Sequence, residues 1–165
     1  MKILSLDLIA FGPFTNHRLD LSGGNEGLHL IHGPNEAGKS STLRALSDFL
    51  FGIHNQSPDD FVHEYSAMRI GATLRDRDGK ALSLVRLKRR GAASLETPDG
   101  KPADDAALGR VLAGLTKETF ERQYRFDHER LVAGGRTILE KDGELGRLLF
   151  EAGSGVTLFR EALGA

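Results

Sequence analysis

Ten residues, Gly33-Pro34-Asn35-Glu36-Ala37-Gly38-Lys39-Ser40-Ser41-Thr42, constrain this chain more than any other stretch. The first eight satisfy G-x-x-x-x-G-K-[ST] at every fixed position, the pattern of a loop that holds phosphate groups. Glycines at both ends let the backbone curl so that the N–H groups around Asn35, Glu36 and Ala37 converge on an anion. Lys39 is a point charge on a stem long enough to reach the β- and γ-phosphates of a nucleotide. Ser40 offers a hydroxyl to Mg²⁺, and a helix after it adds the positive end of its dipole. The pattern requires a strand before and a helix after. Residues 27–32 form a short, mainly apolar strand candidate. Residues 39–51 carry Leu43, Leu46, Phe49 and Leu50 at helical spacing and stop at Gly52. The plainer alternative is a glycine turn before a helix, with Lys39 merely solvated.

The rest of the chain tells what this loop is embedded in. At 165 residues, with 39% hydrophobic and 27% charged side chains, it has the size and composition of one globular domain with its own core. It contains no cysteine, which excludes disulfides, thiolate metal sites and cysteine nucleophiles and suits a cytoplasmic setting. The N-terminus is too interrupted by charge for a signal peptide, and no apolar run reaches membrane-spanning length. The net charge of −1 provides no global attraction to nucleic acid, so binding of that kind needs a local patch.

Residues 1–10 alternate, with Leu4, Leu6, Leu8 and Ala10 on one side, which predicts a strand with one strongly apolar face. Phe11-Gly12-Pro13-Phe14 breaks it, and Arg18–Leu21 reads as a second short strand. Two strands joined by so short a connection predict antiparallel pairing ahead of a parallel part that begins with the strand at 27–32. After a polar stretch at 54–60, residues 68–75 and 81–90 read as a hairpin about Asp76-Arg77-Asp78-Gly79-Lys80. Residues 94–97 are a possible third strand before the turn at Pro98-Asp99-Gly100. From Asp104 the pattern is helical. Asp104 or Asp105 can cap a helix carrying Leu108, Val111, Leu112 and Leu115, a second opens at Thr116, and a third covers 144–152. The fold class is thus α/β: a mixed sheet with an antiparallel β-meander and a helical C-terminal part. Its divisions are 1–52, 53–100 and 101–165.

One element of a hydrolytic site is missing from the sequence. A nucleotide-hydrolysing loop protein needs an acidic residue at the end of an apolar strand, to hold Mg²⁺ and polarise the attacking water. The nearest match, Leu148-Leu149-Phe150-Glu151, has the wrong acid and a helical setting. Leu21-Ser22-Gly23-Gly24 spells the start of the ABC signature but precedes the loop, in a strand-turn context, and reads as a turn.

The order of elements resembles the N-terminal half of an ABC-type ATPase head of the SMC/RecF/SbcC kind, most like the bacterial YhaN-type family. The residues that carry this are 1–3 with Phe11-Gly12-Pro13-Phe14, then 28–41. Phe61-Val62-His63, Arg69-Ile70-Gly71, Phe126-Asp127-His128-Glu129-Arg130-Leu131 and Gly134-Gly135 add to it. The resemblance implies a P-loop NTPase half-domain that binds ATP or ADP with Mg²⁺ through residues 33–41, Ser40 at the metal. It implies that a C-terminal lobe and a second head complete the catalytic unit. DNA and an SbcD-like nuclease are the further partners it suggests, and a membrane is not among them. Where related heads place a glutamine that contacts Mg²⁺ and water, this sequence has His128, with Gln123 as the other candidate. The plainer alternative for both is a solvated helix surface.

The hairpin region is locally basic. Arg86, Lys88, Arg89 and Arg90 could form a strip that tracks DNA phosphates, or could be the solvated outer face of a sheet. A small P-loop kinase is the competing enzyme class, and it should alternate strand and helix about a parallel sheet. A non-hydrolysing scaffold domain that holds nucleotide structurally is the third reading.

Overall fold

A computed structural model describes residues 1–23, 29–89, 94–124 and 132. The chain divides into two compact units, Met1–Phe120 and Glu121–Ala165. The first contains β1 (Lys2–Phe11), β2 (Phe14–Asp20), α1 (Lys39–Phe51), β3 (Arg69–Arg75), β4 (Ala81–Leu87), β5 (Leu95–Glu96) and α2 (Asp105–Leu112). The last helix, α3 (Lys117–Gln123), carries the chain into the second unit, of which only 121–124 and 132 are described.

The five strands form one sheet in the order β2-β1-β3-β4-β5, and every pairing is antiparallel. β1 lies between β2 and β3, so the alternation in its sequence has a direct outcome. Leu4, Leu6, Leu8 and Phe11 are buried, and α1 covers that face with Ala45, Phe49 and Leu50. Ile70, Ala72 and Leu74 of β3, Leu84 of β4 and Leu95 of β5 continue the same core. Each such Leu, Ile or Phe contributes about 1.5–3 kcal/mol by leaving water, which makes this seam the main source of stability. The opposite face is polar. Asp7 pairs with Arg18 at 3.4 Å, and the Thr73 and Ser83 hydroxyls meet at 2.9 Å across β3 and β4.

Several expectations hold. The Asp76–Lys80 turn is present, with Gly79 at φ +82 and the Lys80 N–H donating to Asp76 Oδ1 at 2.8 Å. Asp104 caps α2 by accepting from the Ala106 N–H, and Thr116 accepts from the Thr119 N–H ahead of α3. The helix expected at 144–152 lies outside the described residues.

Two expectations are corrected. Residues 29–32 are not a strand, and Leu30 and Ile31 are exposed at 78% and 45%. A strand exists only with a hydrogen-bonded neighbour, and this segment has none among the described residues. The sheet is consequently antiparallel throughout rather than mixed, in a mixed α/β fold with few helices. Among the described residues the parallel strand–helix alternation of a small kinase does not occur.

Within the basic hairpin, Arg86 is the second correction. Arg86 stands opposite Ile70, on the core face of β4, and is only 6% exposed. Its Nε donates to the Phe49 carbonyl at 3.0 Å and its Nη1 to Ser94 Oγ at 2.7 Å, closing the C-terminal turn of α1 onto the sheet. Burial lowers its pKa below the ordinary arginine value, and Asp105 at 3.4 Å opposes that shift. Replacing Arg86 by Met should therefore destabilise the fold by about 1–3 kcal/mol, because the Phe49 carbonyl and Ser94 hydroxyl lose a buried partner. Arg75→Met, at an exposed position, should stay within about 0.5 kcal/mol of wild type. Urea denaturation measures both. Equal midpoints for the two variants would return Arg86 to the solvated strip.

Candidate functional site

The Gly33–Ser40 loop runs along the surface into the N-terminus of α1. Residues 33–37, Lys39 and Ser40 are exposed, Gly38 is half-buried, and Ser41 and Thr42 turn inward. Its curl depends on two left-handed residues, Glu36 at φ +66 and Gly38 at φ +83. At Gly38 the requirement is doubled, because a Cβ there would lie 2.3 Å from the Phe14 ring. The turn after β1 thus sits against the back of the loop. Lys39 arches over the front, its Nζ donating to the carbonyls of Gly33 at 2.9 Å and Pro34 at 2.6 Å. Thr42 closes the first helical turn by donating its N–H and its hydroxyl to the Gly38 carbonyl, at 2.8 and 3.0 Å.

These residues fit a phosphate group. The N-cap of α1 is Gly38, which makes no side-chain cap bond, and the first turn contains no acidic residue. The leading N–H groups of the helix therefore keep their partial positive charge facing outward beside the Lys39 ammonium. No cluster of three His, Asp or Glu side chains able to hold a metal ion occurs among the described residues. A divalent cation at this site would rest on the Ser40 hydroxyl and on the phosphates themselves.

Behind the loop lies an interaction absent from the sequence reading. Asp59, with no exposed surface, receives both arms of Arg44, Nε to Oδ2 at 2.6 Å and Nη2 to Oδ1 at 2.8 Å. Arg44 Nη2 also donates to Ser41 Oγ at 2.9 Å, and the Asp59 carbonyl accepts from the Gly12 N–H at 2.9 Å. The hydrogen bonds that Arg44 donates to Asp59 raise the Arg44 pKa above its ordinary value, which keeps the guanidinium charged. Gly12 is fitted tightly here: a Cβ would lie 3.0 Å from Asp59 Oδ1 and 3.2 Å from Ser41 Cβ. His63 adds a further tie, its Nε2 2.7 Å from the Phe14 carbonyl and 3.1 Å from Thr15 Oγ1. A residue 15 positions away carries no local sequence signature, so Asp59 was legible only as a polar loop residue.

Of the other sequence candidates, the three described in the first unit have their partners away from this loop. Arg86 is in the core, as described above. Lys88 donates to the Ile53 carbonyl at 2.7 Å and Asn55 Oδ1 at 2.8 Å, with its ammonium over the Tyr65 ring. Arg89 pairs with Glu96 at 2.6 Å. Arg90 and His128 lie outside the described residues. Gln123 is exposed at the end of α3 and belongs to the second unit. Among the described residues no helix is long and apolar enough to cross a membrane.

A protein-family model described as AAA domain matches residues 1–165. The curated relative YhaN of Bacillus subtilis (strain 168), described as an uncharacterised protein, is 24% identical over 131 residues, covering 77% of this chain. The match occupies 13% of that protein, so the chain spans a small fraction of its relative's length. The match across the whole sequence means that the chain belongs to the AAA domain family, whose members are ATPase domains that use nucleotide.

Proposed function

We propose that the chain is the nucleotide-binding N-terminal lobe of an SMC/SbcC-like ATPase head and binds ATP or ADP with Mg²⁺ at residues 33–41. The observation that carries this reading is the pairing of an uncapped, acid-free α1 N-terminus with Lys39 held directly over the loop. In this reading Lys39 exchanges its two carbonyl partners for phosphate oxygens, a stronger charge-to-charge hydrogen bond. The backbone N–H groups of residues 35–40 surround the same anion, and Ser40 turns its exposed hydroxyl to the metal. Bound Mg²⁺ supplies neutralisation of phosphate charge.

The surroundings support a lobe that requires a partner lobe. An apolar groove of about 230 Å³, lined by Ile3, Leu6, Leu19, Ile31, Leu43 and Leu46 among others, opens beside Lys39. Leu30 and Ile31 stand exposed in the segment leading to the loop. A strand from a second lobe would give this segment the ladder it lacks and cover the groove. The acidic strand and the signature helix would come from such a lobe, and a second head would close over the nucleotide. DNA processing with a nuclease partner rests on the family resemblance. The burial of Arg86 sets that side chain apart from the proposed phosphate strip, while Arg89 stands half-exposed beside Glu96. A non-hydrolysing binding domain is the second reading, favoured by the lack of an apolar strand ending in an acid.

Two outcomes test the proposal. Calorimetry with Mg·ADP should show binding to the wild-type chain, weakened about tenfold to a hundredfold in Lys39→Ala. That range corresponds to the ~1.5–3 kcal/mol of a charge-assisted hydrogen bond. Equal affinities would remove the loop from the site. Phosphate release from Mg·ATP by this 165-residue chain should be negligible, because Lys39 and Ser40 hold a nucleotide without a carboxylate to orient water. Turnover near one per second, the slow end for complete enzymes, and lost in Lys39→Ala, would contradict the need for a second lobe.

A further inference from the structure

We propose that Arg44 is a positioning residue of the phosphate loop, acting through the Ser41 hydroxyl while anchored on Asp59; this rests on the nucleotide-binding reading above. Ser40 is exposed and free to meet a metal, but Ser41, the next residue, points inward and is 7% exposed. A buried serine hydroxyl can spend its proton on many acceptors, among them the carbonyls of the preceding helical turn. Here its oxygen is committed instead as an acceptor. Arg44 Nη2 donates to it at 2.9 Å, and no described hydrogen bond takes the Ser41 proton in return. The hydroxyl is thereby left as a donor in the first turn of α1, one residue beyond Ser40. Ser41 is among the residues 33–41 that the nucleotide reading assigns to phosphate, and a phosphate oxygen is an acceptor that suits such a donor.

The geometry of the guanidinium explains why arginine is required. Two parallel hydrogen bonds to Asp59, at 2.6 and 2.8 Å, fix the plane of the group. With the plane fixed, the second hydrogen on Nη2 has one direction left, and Ser41 Oγ lies along it. A lysine could keep the charge next to Asp59, but a single ammonium cannot define a plane and a third direction together. Asp59 is in turn held by the rest of the fold. Its carbonyl accepts from Gly12, and its N–H donates to Ser57 Oγ at 3.3 Å. The turn at 12–14 that backs Gly38 and the helix turn that carries Ser41 are therefore tied to one buried residue, the first through its backbone carbonyl and the second through its carboxylate and Arg44.

The test is a double-mutant cycle on Mg·ADP affinity with wild type, Arg44→Lys, Ser41→Ala and the double variant, each checked for its urea midpoint without nucleotide. If Arg44 acts through Ser41, Arg44→Lys should weaken binding about tenfold in the wild-type background and less than about twofold when Ser41 is already alanine. A general loosening of the fold would instead lower affinity by the same factor in both backgrounds, and that additive result overturns the proposal. Unchanged affinity in Arg44→Lys overturns it too. Ser41→Ala leaves the Arg44–Asp59 pair intact and should by itself weaken binding about as much as Arg44→Lys. Full affinity in Ser41→Ala overturns the proposal even if Arg44→Lys does not fold. Lys39→Ala is the control for the underlying reading. If it binds as wild type does, or wild type does not bind, the nucleotide reading fails and this proposal with it. If only the Arg44 and Ser41 arms fail, the nucleotide reading stands.

Discussion

A carboxylate with no exposed surface must be paired, and at Asp59 that need organises the region behind the phosphate loop. Taking a charge out of water costs several kcal/mol, recovered only with close, well-directed partners. Arg44 supplies two such bonds, and the backbone of Asp59 is held by the Gly12 N–H and the Ser57 hydroxyl. One loop position thereby fixes three segments that are far apart in sequence: the turn after β1, the first turns of α1, and the connection that follows α1. The Phe14 ring, held against Gly38 by that turn, then sets where the loop can curl. The loop is shaped from behind by packing and left open in front, as a site for an incoming anion requires.

The phosphate loop was legible because its chemistry is local: every residue type it needs lies within ten positions. The helix that follows, the hairpin at Asp76–Lys80 and the Asp104 cap were legible for the same reason. The Arg44–Asp59 pair was not, since nothing in a single sequence joins position 44 to position 59. The basic hairpin is more instructive, because the signal was present. Leu82 and Leu84 mark the core face of β4, and a period of two extends that face to Arg86 and Lys88. Counting charges suggested an outward strip, whereas counting alternate positions points both side chains inward. There they tie the end of α1 and the segment just after it to the sheet, through the carbonyls of Phe49 and Ile53.

The segment before the loop shows the reverse case, in which a sound local signal lacks its context. Residues 29–32 have the apolar character of a strand, but a strand is defined by its neighbours. Among the described residues no chain pairs with this one, and Leu30 and Ile31 remain exposed. The five strands that do pair are all antiparallel and bury one face against α1. That architecture places the loop at the edge of the sheet's core face, beside an apolar groove, rather than inside a closed cleft.

The central claim is that the amides of the Gly33–Ser40 loop and the start of α1 receive phosphate. Amide hydrogen exchange, followed by mass spectrometry with and without Mg·ADP, tests it most directly because it reads those N–H groups themselves. The account predicts that peptides covering residues 33–42 become protected on adding nucleotide, while the polar sheet face around Asp7 and Thr73 exchanges as before. Protection confined to that sheet face, with residues 33–42 unchanged under saturating nucleotide, would contradict it.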